Sequence, residues 1–510
     1  MIETSAEGPA SEPTALPFGS HAKRLSRGVI IYGVTSALSR LSTLLLVPIL
    51  TAYLTPADHG VLSLLTILTA ILAPVLSVGL GAAAGACYFQ GDSEQRKAAT
   101  IWMSVVLITP GVVVLGAAAA LVPGPISTLV FHTPAYARLV SLTLVSTACS
   151  VAALPFTLYL QLEERAAGYA RVMLTSAAVS VIATLVGVVW LRLGVNGVVY
   201  ATFVGQLALV VQLLAAVAVR LPRRFDRTVL RELAWLGVPL VPAVAFVFVL
   251  QHGNKFVLER EAGLDALGIY TVGFNLGLAL SILVGAFQNA WLPFAMSFAE
   301  RRQEAAGVFG RVLTYYVIAG GLVTVLFFVA ARPAVMLLAA PRFHDAYLVV
   351  GLSAAAQFFS GMFSILLPTV YFARQVQSVT LMQGLAAAAT MLLNIPLVAG
   401  LGVLGAGVGL AGGALLLVAL QHAWNVSHRR QYLQVHYQWR RVTTALAVYA
   451  GIAAVTLWPR ALRIGPELAL AGAAALCAFA VAYLALSAPE RAELVAALRQ
   501  YIPAISMRPA

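Results

Sequence analysis

Carboxylates are what the membrane-length apolar stretches of this chain lack. Of 510 residues, 61% are hydrophobic and only 10% are charged, whereas a soluble domain carries about 25% charged residues. All 19 Asp and Glu residues can be placed in a tail, in a connecting loop or in the last turn of an apolar stretch. That placement excludes the usual equipment of a cation carrier, a carboxylate held inside the membrane. Cysteine is scarce too: Cys87, Cys149 and Cys477 lie far apart, form no metal-ligand spacing and imply no disulfide framework. A nucleophile–base constellation and a phosphate-cradling glycine loop are also missing, so neither an enzyme, a cofactor nor a metal site is expected. The first 27 residues lack the basic start and short apolar core of a signal peptide, and read as a disordered tail.

What the chain has is lipid-soluble length. Its mean hydropathy is +0.91, and about fourteen apolar stretches are long enough to cross a hydrocarbon core of roughly 30 Å. They are continuous rather than alternating, which excludes an outer-membrane barrel. The expected fold is an all-α polytopic membrane protein, since helices satisfy their own backbone groups in lipid.

Lys and Arg set the expected orientation. If the N-terminus is cytoplasmic, inner segments such as Lys23–Arg27, Arg220–Arg231 and Arg429–Arg441 hold roughly three of every four cationic residues. Outer segments hold few, among them Arg138, Arg192, Arg260 and Arg342. Both termini are therefore expected in the cytoplasm and the protein in the cell's cytoplasmic (inner) membrane. The net charge of +13 is accounted for by anionic lipid, and no nucleic-acid partner is expected.

Two short patterns recur. Leu54-Thr55-Pro56-Ala57-Asp58-His59-Gly60 opens the second stretch and Leu264-Asp265-Ala266-Leu267-Gly268-Ile269-Tyr270 the eighth. Leu193-Gly194-Val195-Asn196-Gly197 and Leu401-Gly402-Val403-Leu404-Gly405 form a second pair of turns. Gly60 and Gly268, Gly194 and Gly402, and Gly197 and Gly405 are each 208 residues apart. An offset of six helices keeps both copies in one orientation, a parallel repeat with a substrate site between the bundles. The expected organisation is a cytoplasmic tail (1–27), a first six-helix lobe (28–219), a linker (220–232), a second lobe (233–424), a loop (425–440), two further helices (441–487) and a C-terminal cytoplasmic tail (488–510).

These turns, with Gly237-Val238-Pro239-Leu240 and Asn289-Ala290-Trp291-Leu292-Pro293, resemble the polysaccharide-export flippases of the multidrug/oligosaccharidyl-lipid/polysaccharide exporter superfamily over roughly residues 25–440. The resemblance implies two six-helix lobes around a central cavity and two C-terminal helices. It implies an undecaprenyl-pyrophosphate-linked oligosaccharide as substrate, for a surface polymer such as an exopolysaccharide or O-antigen. A polysaccharide polymerase and other export machinery would be partners, beside the membrane lipids. The family often has an acidic–basic pair shortly before the second repeat turn. Here Asn254-Lys255 stands instead, and the acidic partner is missing.

Within the membrane, Arg40 is the sharpest candidate. It lies roughly 20 Å along the helix from Arg27, too deep to reach the inner surface. Ser36, Arg40 and Thr43 share a helix face, with Tyr32 and Ser39, and a planar guanidinium suits phosphate oxygens. Arg40 bonded to neighbouring carbonyls is the structural alternative. Lys255, and Gln288, Asn289 and Trp291 as an amide–aromatic glycan platform, complete the cavity candidates. Pro239 and Pro242 are hinge candidates. Competing readings are a polytopic glycosyltransferase or polysaccharide polymerase, which lack here the acidic residues or long outer loop they need, and a cation-coupled drug exporter, which lacks its carboxylates.

Overall fold

The computed structural model describes residues 44–90, 93–219, 221–298, 301–373, 375–428, 437–457 and 464–485, together with Gly33, Thr35, Ala37, Leu38, Leu41, Leu433 and Val435. All secondary structure among the described residues is helical. In the first half run α1 (Leu44–Tyr53), α2 (Pro56–Leu76), α3 (Leu80–Tyr88), α4 (Glu94–Leu121), α5 (Pro123–Phe131), α6 (Ala137–Leu162), α7 (Ala166–Leu185) and α8 (Val195–Leu213). Both α7 and α8 end in a π-helical turn, Val186–Trp190 and Leu214–Ala218. The second half begins with the amphipathic α9 (Arg227–Gly237) and continues through α10 (Val241–Gly277), α11 (Leu280–Met296), α12 (Arg302–Leu338), α13 (Tyr347–Leu366), α14 (Pro368–Phe372) and α15 (Val376–His428). The chain's last described helices are α16 (Trp439–Leu457) and α17 (Ile464–Ala485).

Nine of these helical segments are long and apolar enough to cross a membrane. Two, α10 and α15, are hairpins rather than rods. The first turns at Gly263 (φ 81°) and the second at Gly402 (φ 54°, ψ −126°), left-handed positions that glycine occupies without a Cβ clash. Across the α10 turn Asn254 Nδ2 donates to Tyr270 Oη at 2.5 Å. Gly194, before α8, has φ 57° and ψ −134°, nearly the Gly402 conformation, so the two turns are built alike 208 residues apart.

Local chemistry sets the other boundaries. Thr55 and Asp58 form a reciprocal capping box at the start of α2, with Asp58 accepting from the Thr55 N–H at 2.8 Å. The Ser93 hydroxyl caps α4 by accepting from the Arg96 N–H at 3.2 Å. The second stretch was expected to be one span, but α2 and α3 are separated by Val78 and Gly79, both at positive φ. Nothing at Val78 advertises that break. Among the apolar clusters that hold the lobes, one contains Leu64, Ile108, Leu144 and Val199 of the first and another Phe309, Leu313, Phe358 and Leu366 of the second. The last two helices attach to the second lobe, where the Tyr449 hydroxyl donates to the Ile318 carbonyl at 2.9 Å and its ring lies against Gly321.

Candidate functional site at the seam between the lobes

The repeat turns meet each other. A methyl group at Gly60 would collide with the Leu264 carbonyl, and one at Gly268 with the Pro56 carbonyl. Shifted by 208 residues, Gly60 becomes Gly268 and Pro56 becomes Leu264, so the contact is reciprocal. One turn further in, Thr271 Oγ1 donates to Ser63 Oγ at 2.9 Å, and these two residues are themselves 208 apart. A residue touches its own counterpart only beside a two-fold axis. The pseudo-dyad therefore passes between α2 and α10, where two glycines let the backbones approach closely.

More contacts close the seam at its Arg-poor end. Arg342 donates to the carbonyls of Thr51 and Ala52 at 2.9 and 3.0 Å, and the His59 ring meets Phe343 edge-on at 5.0 Å. Glu259 lies 3.7 Å from His132. At the Arg-rich end the linker helix α9 docks on the first lobe. Gly237 sits against the Val78 carbonyl, and Arg96 pairs with Glu232 at 2.7 Å. Asp226 caps α9, accepting from the Thr228 N–H at 2.9 Å. Those hydrogen bonds, led by the one from the Thr228 hydroxyl, hold its carboxyl below the ordinary value.

Beside the seam, the first lobe contains a polar pocket that sequence reasoning did not single out. It has a volume of about 150 Å³ and is lined by α2, α6 and α8, with Thr66, Thr69, Thr143, Ser146, Thr147, Ser150, Thr202 and Gln206 supplying its polar groups. Thr66, Ser146 and Thr202 each donate to the carbonyl four residues back, at 2.8, 2.8 and 2.9 Å. With those protons committed, the hydroxyls present lone pairs. The Gln206 Oε1 is buried with no partner among the described residues. This pocket is an acceptor surface, suited to groups that donate.

Of the sequence-predicted site residues that the structure describes, Gln288 and Trp291 meet at Ser364. Arg40, Ser36 and Thr43 lie outside the described residues. Lys255 lies in α10. It is only 4% exposed, with its ammonium 4.2 Å from the centre of the Phe274 ring, inside the second lobe. Its neighbour Asn254 is tied to Tyr270 and to the Ala406 carbonyl. The amide and aromatic candidates of α11 are divided between the core and the surface. Trp291 is 3% exposed, donates to the Ser364 carbonyl at 3.0 Å and stacks on Phe287, which makes it a core residue. Gln288 is bound to Ser364 Oγ at 2.8 Å, while Asn289 is exposed on the other side. Pro239 and Pro242 do sit where the helix is interrupted, in and after the 3₁₀ turn Val238–Leu240 between α9 and α10.

Comparison with known proteins places the chain. A family model described as polysaccharide biosynthesis protein matches residues 49–348. Among proteins of curated function, none matches in sequence. Among solved structures, the lipid II flippase MurJ in an inward closed conformation is similar with a TM-score of 0.65 at 13% identity, over 89% of this chain and 99% of that one. A multidrug resistance MATE family transporter of the MOP superfamily in an inward-facing conformation is similar with a TM-score of 0.63 at 13% identity, over 78% and 99%. An outward-facing MATE family transporter gives 0.54 at 15% identity, over 80% and 95%. At such identities the likeness is one of fold.

Proposed function

Since the chain belongs to the polysaccharide biosynthesis protein family, we propose that it is a flippase for a lipid-linked oligosaccharide of the undecaprenyl-pyrophosphate kind, working by alternating access. The reciprocal contact of Gly60 and Gly268 with Leu264 and Pro56 carries this reading. Two like bundles joined at a pseudo-dyad can rock about it and expose the space between them to either side in turn. The Arg-rich end is the cytoplasmic one in this reading, and the closed Arg-poor end faces outward.

The hydroxyl pocket gives the glycan its contacts. Sugar hydroxyls donate hydrogen bonds, and each left unpartnered in hydrocarbon would cost about 2–7 kcal/mol. Thr66, Thr202 and Gln206 supply acceptors beside the seam. Arg40 is the pyrophosphate ligand, and the apolar tail remains in the bilayer. A second groove, about 290 Å³ between α12, α13 and α16 and lined by Phe328, Leu352, Tyr449 and Ala453, offers the tail a surface. Product delivered to the outer leaflet serves a polysaccharide polymerase.

The test uses proteoliposomes loaded on one leaflet with a radiolabelled polyprenyl-pyrophosphate oligosaccharide. A membrane-impermeant glycosidase then reads the fraction that has crossed. Protein-dependent exposure is expected. Its absence, combined with gradient-driven efflux of a cationic dye, would replace this reading with drug export.

A further inference from the structure

We propose that the lipid-facing flank of the first lobe binds a resident anionic glycerophospholipid, held by Arg223 and Trp102. A groove of about 480 Å³ runs between α4, α6 and α8. Its walls are apolar along most of their length: Val105, Ile108, Val112, Phe156, Val210 and Leu214. From Trp102 to Val112 it spans about 15 Å of helix, close to the depth of one leaflet's hydrocarbon. The π-helical turn Leu214–Ala218 supplies Leu214 and Ala218 to one wall, and such turns commonly occur at functional positions.

The chemistry at the Arg-rich mouth is different. Arg223 lies in the coil between α8 and α9, its guanidinium 5.6 Å from the centre of the Trp102 ring. The Trp102 indole N–H is buried and has no partner among the described residues. A cation and an unpartnered donor at the end of an acyl-length apolar groove match a phosphate and an ester carbonyl above a fatty-acyl chain. A lipid-linked substrate shares the phosphate and the tail. The groove, however, opens on the membrane rather than at the seam, which is made by α2 and α10. Val113, Val211 and Val219 beside it are 61%, 56% and 81% exposed, a surface for lipid. Its walls run about 15 Å from Trp102 to Val112, about half of a hydrocarbon core, so it suits a lipid that stays in one leaflet.

The consequence is control over the linker. Arg223 is three residues before Asp226, the cap of α9, and α9 joins the lobes through Arg96–Glu232. A bound headgroup restrains the segment that joins the lobes.

The whole protein is reconstituted in nanodiscs of phosphatidylcholine containing brominated phosphatidylglycerol, or brominated phosphatidylcholine at equal bromine content. Bromine quenches nearby tryptophan, and the Trp102 component is obtained by subtracting a Trp102→Phe variant. Phosphatidylglycerol is expected to quench that component at lower mole fraction than phosphatidylcholine. Arg223→Ala should weaken the preference about fivefold, the effect of one basic group near an anionic surface, while Arg223→Lys keeps most of it. Native mass spectrometry should find one retained phosphatidylglycerol that Trp102→Phe releases more readily. Equal quenching by both lipids, or an unchanged Arg223→Ala, would reduce the groove to unselective lipid contact. Displacement of phosphatidylglycerol by a polyprenyl-pyrophosphate oligosaccharide would overturn the assignment to a membrane phospholipid.

Discussion

The two lobes share a backbone plan but fill it differently. In the first, the space between α2, α6 and α8 is lined by Thr66, Thr69, Thr143, Ser146, Thr147, Ser150, Thr202 and Gln206. At the 208-residue offset the second lobe has Phe274, Gly277, Gly351, Ala354, Ala355, Phe358, Leu410 and Ala414. Phe274, Ala354, Phe358 and Leu410 are buried there, and glycines admit neighbours: Gly277 against Ser353, Gly351 against the Phe328 ring. At these matched positions the first lobe has a polar hollow and the second has apolar side chains, whose own groove lies on the far side of α13, toward α12 and α16. A repeat preserves the positions of helices without preserving what lies between them, because turn glycines fix the first and side-chain volume the second.

The largest expected effect lies in the first lobe. Arg40→Ala should abolish transport while leaving the protein inserted, and Arg40→Lys should keep part of it, since the charge survives but the paired geometry does not. Full transport by a well-expressed Arg40→Ala would end its role as an anion ligand. Next, Thr66→Val with Gln206→Leu should lower flipping about tenfold, the loss of one or two hydrogen bonds, at unchanged melting temperature. The reverse change in the second lobe, Ala354→Ser with Ala355→Ser, should leave flipping as it was. Equal loss from both pairs would mean that the lobes contribute alike. Lys255→Met should preserve transport, with stability within about 1 kcal/mol of wild type by thermal unfolding, because an apolar side chain relieves a buried ammonium as it gives up the Phe274 face. The smallest effect is expected of Glu232→Gln. The Arg96–Glu232 pair is 29% and 41% exposed, so its loss should cost about 0.2–1 kcal/mol and matter less as salt rises.

Helix placement was legible because lipid imposes length and polarity on each segment. The repeat was legible because Gly194 and Gly402 have no substitute in their backbone conformation. The hydroxyl pocket was partly legible: Thr143, Ser146, Thr147 and Ser150 fall at helical spacing on one face. Hydroxyls within a span ordinarily bond their own helix, and only the arrival of α2 and α8 shows that these line a space. The packing of Trp291 was not legible because its partners Ser364 and Phe309 are remote in sequence. Beside two amides it resembles a sugar platform until they are in place. The burial of Lys255 was hidden for the same reason, since Phe274 reaches it only through the hairpin at Gly263. The Trp102–Arg223 pairing joins positions more than a hundred residues apart, with no periodicity to announce it.

The contact of Ser63 with Thr271 has the form of a homodimer interface enclosed within one chain. In a true dimer, every substitution at such a position appears on both sides at once and must be compatible with itself. Here each side is encoded separately, so a change at residue 63 is met by an unaltered residue 271. The two positions are free to diverge, and serine facing threonine is already one step of that divergence. The central contact of the molecule is thus symmetric in geometry but released from symmetry in heredity, which leaves each lobe free to line its interior differently.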